Sequence, residues 1–196
     1  MKARARSLLL LAALGGPLTA QDGAQAAAEG KQAGEAPAVI SAPSPAEIAK
    51  LRKAATRGEV QAQYDLAVAL DCGRGVKRNH AQALELLTKA ASGGHVPAQS
   101  ALGWKYMTGE GVPRDDATAF RWIRRAAESG DTSAQNNLGI LYAQGRGVEA
   151  DLVEAEKWFR LAAEKGAADA QRNLDELLAG RGRGMRPSSE SPLNRT

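Results

Sequence analysis

The stretch GRGVKRNHAQA, from Gly73 to Ala83, has the residue types of a phosphate-binding loop. Two glycines come first, Lys77 and Arg78 follow, and the next residues have the composition of a helix. Backbone N–H groups at a glycine-rich helix N-terminus, together with a basic side chain, can bind a phosphate group. A loop that bound a nucleotide in this way would make the protein a candidate enzyme.

The same loop occurs three times in the chain. It begins at Gly73, Gly109 and Gly145, so it recurs every 36 residues. A phosphate-binding loop normally occurs once, and here the basic Arg74 is replaced by the acidic Glu110 at the equivalent position. We therefore interpret the glycine loop as a structural turn of an internal repeat.

The histidines and the cysteine are the other residues that could do chemistry. Neither His80 nor His95 has a His, Cys or carboxylate partner three or four residues further on, so we interpret both as unpaired surface side chains. We interpret Cys72 as an unpaired, half-exposed thiol, with an intermolecular disulfide as the alternative. The sequence contains no nucleophile elbow and no zinc motif. It therefore predicts no catalytic, cofactor or metal site.

Aligned on the 36-residue period, the chain contains four units. They cover residues 54–89, 90–125, 126–161 and, incompletely, 162–179. Each complete unit has the pattern of two helices. Helix A has apolar or small residues four apart, such as Ala134, Leu138 and Tyr142, and ends at the glycine turn. Helix B follows an N-cap residue, which is Asn79, Asp115 or Asp151 in the three complete units, and ends at a glycine such as Gly166.

A single pair of such helices cannot bury its apolar face, so the units must stack. The sequence predicts an all-α fold, an αα-hairpin solenoid over residues 44–179 with a capping helix at each end. The first capping helix starts at Ser44, an N-cap that is followed by Pro45 and Glu47. The last is a helix A over residues 169–179, and the glycines after it predict that no helix B follows.

The segments on either side of the units differ in composition. Residues 1–20 have a basic start, an apolar run and small residues at the end, the layout of a secretory signal peptide, with an uncleaved membrane anchor as the alternative. Residues 21–43 predict a flexible linker, and residues 180–196 predict a disordered basic tail. We expect a periplasmic protein, with secretion as the alternative, and no stable membrane anchor after signal cleavage.

The formal net charge of +4 comes from these end segments. Residues 44–179 carry as many basic as acidic side chains, so the folded part is neutral overall. The pI of about 9.4 therefore does not indicate a nucleic-acid-binding domain, and we expect no nucleic-acid partner. For the arginine-glycine tail, two interpretations stay open: contact with an acidic surface, an anionic lipid or a nucleic acid, and a decayed glycine turn.

The second and third units resemble Sel1-like repeats, a 36-residue relative of the tetratricopeptide repeat. They contain LGWKYMTGEGV and LGILYAQGRGV, followed by Trp122 and Trp158 at equivalent positions. Because these tryptophans recur at one place, we expect them in the core. The first unit departs from the pattern, with Ala67 for Gly, Leu70 for Tyr and Leu86 for Trp. The resemblance covers all four units.

Proteins of the Sel1-like type are mostly adaptors, so the resemblance implies a non-catalytic protein–protein interaction module without a cofactor. In bacterial envelopes such proteins bind and regulate sensor proteins or cell-wall enzymes, which implies a protein or peptide partner of that kind. A cysteine-rich subgroup is associated with penicillin binding, but this chain has one cysteine, Cys72. The alternative function is a cell-wall-associated or penicillin-recognising enzyme, or a peptidoglycan binder.

Candidate partner-binding residues lie at variable positions of helix A, opposite its core stripe. In stacked helix-pair repeats the A helices line the concave surface, which is the usual binding groove. Trp104 is the first candidate, because Trp is favoured at binding hot spots and this one lies outside the repeated helix B position. Packing between units is the alternative role for Trp104. The full set is Tyr64, Val68, Ser100, Trp104, Asn136, Ile140 and Arg172.

Overall fold

The computed structural model describes residues 42–184, and within this range the chain forms eight helices and no strand. They are α1 (Pro45–Thr56), α2 (Val60–Cys72), α3 (His80–Ser92), α4 (Val96–Thr108), α5 (Asp116–Glu128), α6 (Thr132–Gln144), α7 (Leu152–Glu164) and α8 (Ala168–Gly184). The prediction of an all-α fold is confirmed. The predicted signal peptide, most of the predicted linker and the end of the predicted tail lie outside the described residues.

The helices alternate between the two kinds that the repeat predicts. Helices α2, α4, α6 and α8 are A helices, and α1, α3, α5 and α7 are B helices. Within residues 42–184, the main interhelix contacts join helices that are consecutive in the chain. Packing between nearest neighbours is typical of a solenoid of helix pairs, so the predicted stacking is confirmed.

Side-chain caps fix the starts of the B helices. At α1, the Glu47 N–H donates to the Ser44 hydroxyl at 3.3 Å, and the Ser44 N–H donates to the Glu47 carboxylate at 2.7 Å. At α3, α5 and α7, the predicted caps Asn79, Asp115 and Asp151 accept from main-chain N–H groups two or three residues on. Each cap satisfies helix N–H groups that otherwise lack partners, and so sets where the B helix begins.

The glycine loop is the turn from helix A to helix B, as interpreted from the sequence. Gly73, Gly109 and Gly145 end the A helices in the left-handed conformation, with φ of 71°, 81° and 66°. Glycine adopts this conformation with little strain. The second glycine of the third loop also permits a close contact, since a Cβ atom on Gly147 would lie 2.1 Å from the Asp116 carbonyl oxygen.

Small residues let the two helices of a unit come close together. A Cβ atom on Gly103 in α4 would lie 2.5 Å from Cγ1 of Ile123 in α5. A Cβ atom on Gly139 in α6 would lie 2.6 Å from Cδ1 of Phe159 in α7. These distances are far below van der Waals contact, so the large B-helix side chain occupies the space that the absent Cβ leaves. Fully buried alanines, whose side chains are also small, allow close helix contacts elsewhere along the stack.

The last helix is longer than the sequence predicts. The prediction places its end at residue 179, whereas α8 continues to Gly184. A glycine inside a helix costs only about 1 kcal/mol relative to alanine. The glycines therefore weaken the helix without ending it, and the prediction of a tail that starts at residue 180 is wrong at its boundary.

The close helix approach makes Gly139→Ala a specific test of the packing. Alanine favours the helix, but here its methyl group would overlap the Phe159 ring, so we expect the free energy of unfolding to fall by about 1–3 kcal/mol. The matched control is Gly180→Ala in α8, where nothing lies within 4 Å of the new methyl group. That variant should gain up to about 1 kcal/mol. Urea unfolding followed by helical circular dichroism measures both, and a fully stable Gly139→Ala protein would contradict the packing.

Candidate functional site

The seven candidate residues lie on the A helices in two rows. The first row contains Tyr64, Ser100, Asn136 and Arg172, one on each A helix, and the second row contains Val68, Trp104 and Ile140. Six of the seven side chains are partly buried, and Arg172 is exposed. The structure therefore brings the candidates into two lines along consecutive A helices.

Side chains of the first row connect each unit to the next. The Tyr64 ring lies against the His95 ring, with 4.6 Å between the centroids. The Ser100 hydroxyl donates to the Asp131 carboxylate at 3.2 Å, one unit further on. The side-chain amide of Asn136 accepts from that of Asn173 at 2.9 Å. These polar and aromatic contacts join neighbouring A helices, a role that the sequence analysis did not assign to them.

The end of the first row behaves differently. Arg172 pairs with Asp169 on the same helix, α8, through a short charge-assisted hydrogen bond. Both side chains are more than half exposed, so this pair contributes little to stability. Arg172 is thus the row's solvent-facing member.

Two members of the second row, Trp104 and Ile140, pack against core clusters that span units. Trp104 lies against the core cluster that contains Met107, Ile123 and Leu138, which come from α4, α5 and α6. Ile140 packs against the cluster of Phe159 and its neighbours on α8. The alternative role of Trp104, packing between units, is therefore present, and part of its surface stays exposed.

Both histidines have partners, so their interpretation as unpaired surface side chains is wrong. His95 is the N-cap of α4, where its Nδ1 accepts from the Ala98 N–H at 3.3 Å while Nε2 lies 2.9 Å from Oε1 of Gln61. This arrangement assigns the proton to Nε2. His80 Nδ1 lies 2.7 Å from an Asp71 carboxylate oxygen. The side-chain partners, Asp71 and Gln61, lie nine or more residues away in sequence, and the third partner is a main-chain N–H group. A search for ligating side chains three or four residues apart cannot find such contacts.

The surroundings of the Tyr64–His95 pair favour its neutral forms. Burial raises the pKa of Tyr64, and the carboxylates of Asp65 and Asp131 raise it further. Burial lowers the pKa of His95, against a smaller opposing effect of Asp65. A neutral His95 is the form that the N-cap needs, because a protonated Nδ1 has no lone pair to accept the Ala98 N–H.

A second set of charged contacts joins the turns of neighbouring units. Arg146 donates to both carboxylate oxygens of Asp116, at 2.6 and 3.2 Å, and to the Met107 carbonyl oxygen at 2.7 Å. Hydrogen bonds from Arg114 and Arg146 hold the pKa of Asp116 far below its usual range. Because these partners are 30 or more residues apart, a single unit's sequence gives no sign of the contact.

The tryptophans of the B helices are partly buried rather than fully in the core as expected. Trp122 and Trp158 each pack against a core cluster, and each has a basic side chain over its ring, Arg125 at 4.9 Å and Lys157 at 5.5 Å. The indole thus has an apolar side against the stack and an outer side near solvent and a cation.

The described residues offer no assembled set for catalysis. No three His, Cys, Asp or Glu side chains among them come together as a metal site. Cys72 is an exposed free thiol. None of the helices in the described range is both long enough and apolar enough to cross a membrane.

Fold and contacts define a class of protein, the αα-repeat solenoids. The model of the Sel1 repeat matches residues 60–95, 96–131 and 132–166. The chain belongs to the Sel1 repeat family. Proteins of this family generally mediate protein–protein interactions, and the family is typically a non-catalytic interaction scaffold.

Solved structures with the same fold include two at similar sequence identity. The chain is 38% identical to a Sel1 repeat protein from Oxalobacter formigenes, with a TM-score of 0.63 over 66% of this chain and 97% of that one. It is 40% identical to c5321, a protective antigen present in uropathogenic Escherichia coli strains, with a TM-score of 0.63 over 66% of this chain and 28% of that one. A search of curated protein sequences found no match.

The N-cap role of His95 predicts a pH-dependent stability. Its pKa in the folded chain lies below the unfolded value of 6.5, so the unfolded chain binds the proton first as the pH falls. The contribution of the neutral cap is complete above pH 6.5 and decreases below it. In His95→Asn, the asparagine side chain can still cap the helix but does not titrate.

We expect the free energies of unfolding of wild type and His95→Asn to differ by a constant amount between about pH 8 and pH 7. The wild type should then lose stability relative to the variant as the pH falls through 6.5. Urea unfolding at several pH values measures the difference. Two curves that stay parallel from neutral to acidic pH would contradict the assignment of His95 as a neutral cap.

Proposed function

We propose that this chain is a non-catalytic adaptor or regulator of the bacterial cell envelope that binds a protein or peptide along its A helices. The partner is an envelope sensor protein or a cell-wall enzyme. A rigid stack of units presents the two rows of side chains, and the residues that vary between units select the partner. No chemical step is required of the chain.

The observation that carries this proposal is the environment of Trp104. Its indole packs against the core on one side and remains partly exposed on the other, on a helix face that continues in the next unit. A rigidly held, partly exposed Trp provides a large contact area without ordering a free side chain on binding. Val68 and Ile140, at the equivalent positions, are smaller and apolar, so the indole distinguishes the second unit from its neighbours.

The sequence supports an envelope location for this function. Residues 1–20 have the layout of a secretory signal peptide, which directs a chain out of the cytoplasm. The similar c5321 is a protective antigen, and an antigen of this kind is consistent with an exported protein. We therefore propose that the chain acts in the periplasm, from about Gln21 onward.

A non-catalytic role is supported by how the reactive side chains are used. His80 and His95 have structural partners in a carboxylate and in a helix N-terminus. Cys72 is an exposed free thiol, and the Arg78 guanidinium beside it donates to the Cys72 main-chain carbonyl oxygen at 3.5 Å. No described residue therefore combines a nucleophile with a positioned base.

Substitutions taken from the chain's own other units test the A-helix rows with residues that the repeat already accommodates. Trp104→Ile introduces the residue of the third unit, and Tyr64→Ser introduces that of the second. We expect each variant to lose most of the partner that the wild-type chain captures from an envelope extract. Helical circular dichroism should stay unchanged, because Ile140 and Ser100 already occupy the equivalent positions of other units. Mass spectrometry of the captured proteins gives the measurement.

Capture of the same partner by both variants would show that the A-helix rows are not the binding surface. If the wild-type chain captures no protein but sediments with peptidoglycan, the chain is a cell-wall binder instead. Covalent labelling by a fluorescent penicillin would support the enzymatic alternative. The wild-type chain and the two variants are compared in each assay, so a surface effect is separated from a folding effect.

A further inference from the structure

The tryptophans of α5 and α7 each pack against a core cluster that contains the same recurring pair of apolar residues. Trp122 packs against the cluster that includes Ala91 at the end of α3 and Leu102 in α4. Trp158 packs against the cluster that includes Ala127 and Leu138, each 36 residues further along. In both units the indole thus packs against a cluster that joins a preceding B helix to an A helix.

The first unit has the same apolar pair and no tryptophan. The equivalent pair is Ala55 at the end of α1 and Leu66 in α2, and the residue in place of the indole is Leu86. An open groove of about 670 Å³ lies here, lined by these three residues among others. Since leucine is much smaller than tryptophan, the groove is the space that an indole occupies in the next two units. We call it the Leu86 groove.

Polar groups at the Leu86 groove include an acceptor without a partner. Gln63 is 7% exposed, and its side-chain N–H donates to the Ala55 carbonyl oxygen at 3.3 Å. Within the described part of the chain, the amide oxygen of Gln63 accepts no hydrogen bond. This oxygen is not one of the fully buried, unpartnered side-chain atoms of the described chain, unlike Oε1 of Gln99 and of Gln135 in the next two units, so it is accessible to an N–H group of a ligand.

Charge at the rim favours an acidic ligand. Lys89 is paired with Glu85 at 2.6 Å, so these two side chains compensate each other. Arg52, exposed on α1, has no acidic partner among residues 42–180. The rim therefore has one uncompensated positive charge beside an apolar floor.

The chain itself does not supply an aromatic occupant. All eight Phe, Trp and Tyr residues lie between Tyr64 and Phe159, so the segments before and after the described residues contain none. Each of the eight is at least partly buried in the chain's own fold, so a second folded copy has no aromatic side chain free to insert into the groove. An aromatic occupant must come from a different molecule.

We propose that the Leu86 groove binds an aromatic side chain of a separate protein or peptide, with a neighbouring acidic residue at Arg52. The aromatic ring takes the place of the indole of Trp122 and Trp158, and the partner's main chain donates to the Gln63 amide oxygen. This site is formed mainly by α1 and α3, whereas the candidate rows lie on the A helices. The proposal therefore holds or fails independently of the A-helix function.

The test is a chemical-shift titration of the full chain, labelled with nitrogen-15, with the peptide acetyl-Glu-Trp-Glu-amide. We expect saturable shifts at the Gly58 main chain and the Gln63 side-chain amide, with a Kd of about 1 mM or tighter, since one buried indole accounts for most of the contact. The peptide acetyl-Glu-Ala-Glu-amide should cause none. No shifts with the Trp peptide, or equal shifts with both peptides, would overturn the proposal.

Two reciprocal substitutions locate the site. Leu86→Trp fills the groove with the residue that the other units contain, so binding should weaken at least about tenfold while helicity is kept. Trp122→Leu opens the equivalent space in the second unit, and new shifts should appear at Gly94 and the Gln99 side chain. Unaltered binding by Leu86→Trp, in a chain with the wild-type circular dichroism, would place the peptide elsewhere and overturn the proposal.

Charge reversal in the probe tests the role of Arg52. We expect acetyl-Lys-Trp-Lys-amide to bind more weakly than the acidic peptide, and Arg52→Gln to remove that difference. Low salt increases the contrast, because exposed charges are screened within about 10 Å at 0.1 M ionic strength. Equal binding of the two Trp peptides to the wild-type chain would overturn the acidic part of the proposal.

Discussion

The structure depends on how closely the A and B helices of each unit approach one another. Gly103 and Gly139 leave no side chain where Ile123 and Phe159 enter, and buried alanines keep the other approaches short. Close approach brings apolar side chains of both helices into dense contact, which is the main favourable contribution to folding. Every later feature, from the turns to the rows of candidate residues, takes its position from this packing.

Much of the fold could be predicted from the sequence because its causes are local or periodic. The 36-residue period, the caps at Asn79, Asp115 and Asp151 and the left-handed glycines each express a conformational preference of a few neighbouring residues. The end of α8 could not be placed, since a modest glycine penalty competes with a small gain per helical residue. The balance is close, so composition alone does not decide it.

The placement of the candidate residues on the A helices was predictable from the repeat, but their contacts were not. Tyr64, Ser100 and Trp104 do lie on the A helices, yet their partners belong to the next unit. The Arg146–Asp116 pair and the Leu86 groove have the same origin, since they arise only when two units are stacked at a defined distance. Residues that recur in every unit hold the stack together. Both binding proposals rest instead on positions where the units differ, Trp104 in the second unit and Leu86 in the first.

Native-state hydrogen exchange of the full chain, resolved by residue, tests the nearest-neighbour packing most directly. Units in the middle of the stack have neighbours on both sides, so their amides should exchange slowest, in α4, α5 and α6. Protection should fall toward α1 and α8, which pack on one side only. Equal or greater protection in α1 or α8 than in α5 would contradict the account, because those helices would then be stable without a second neighbour.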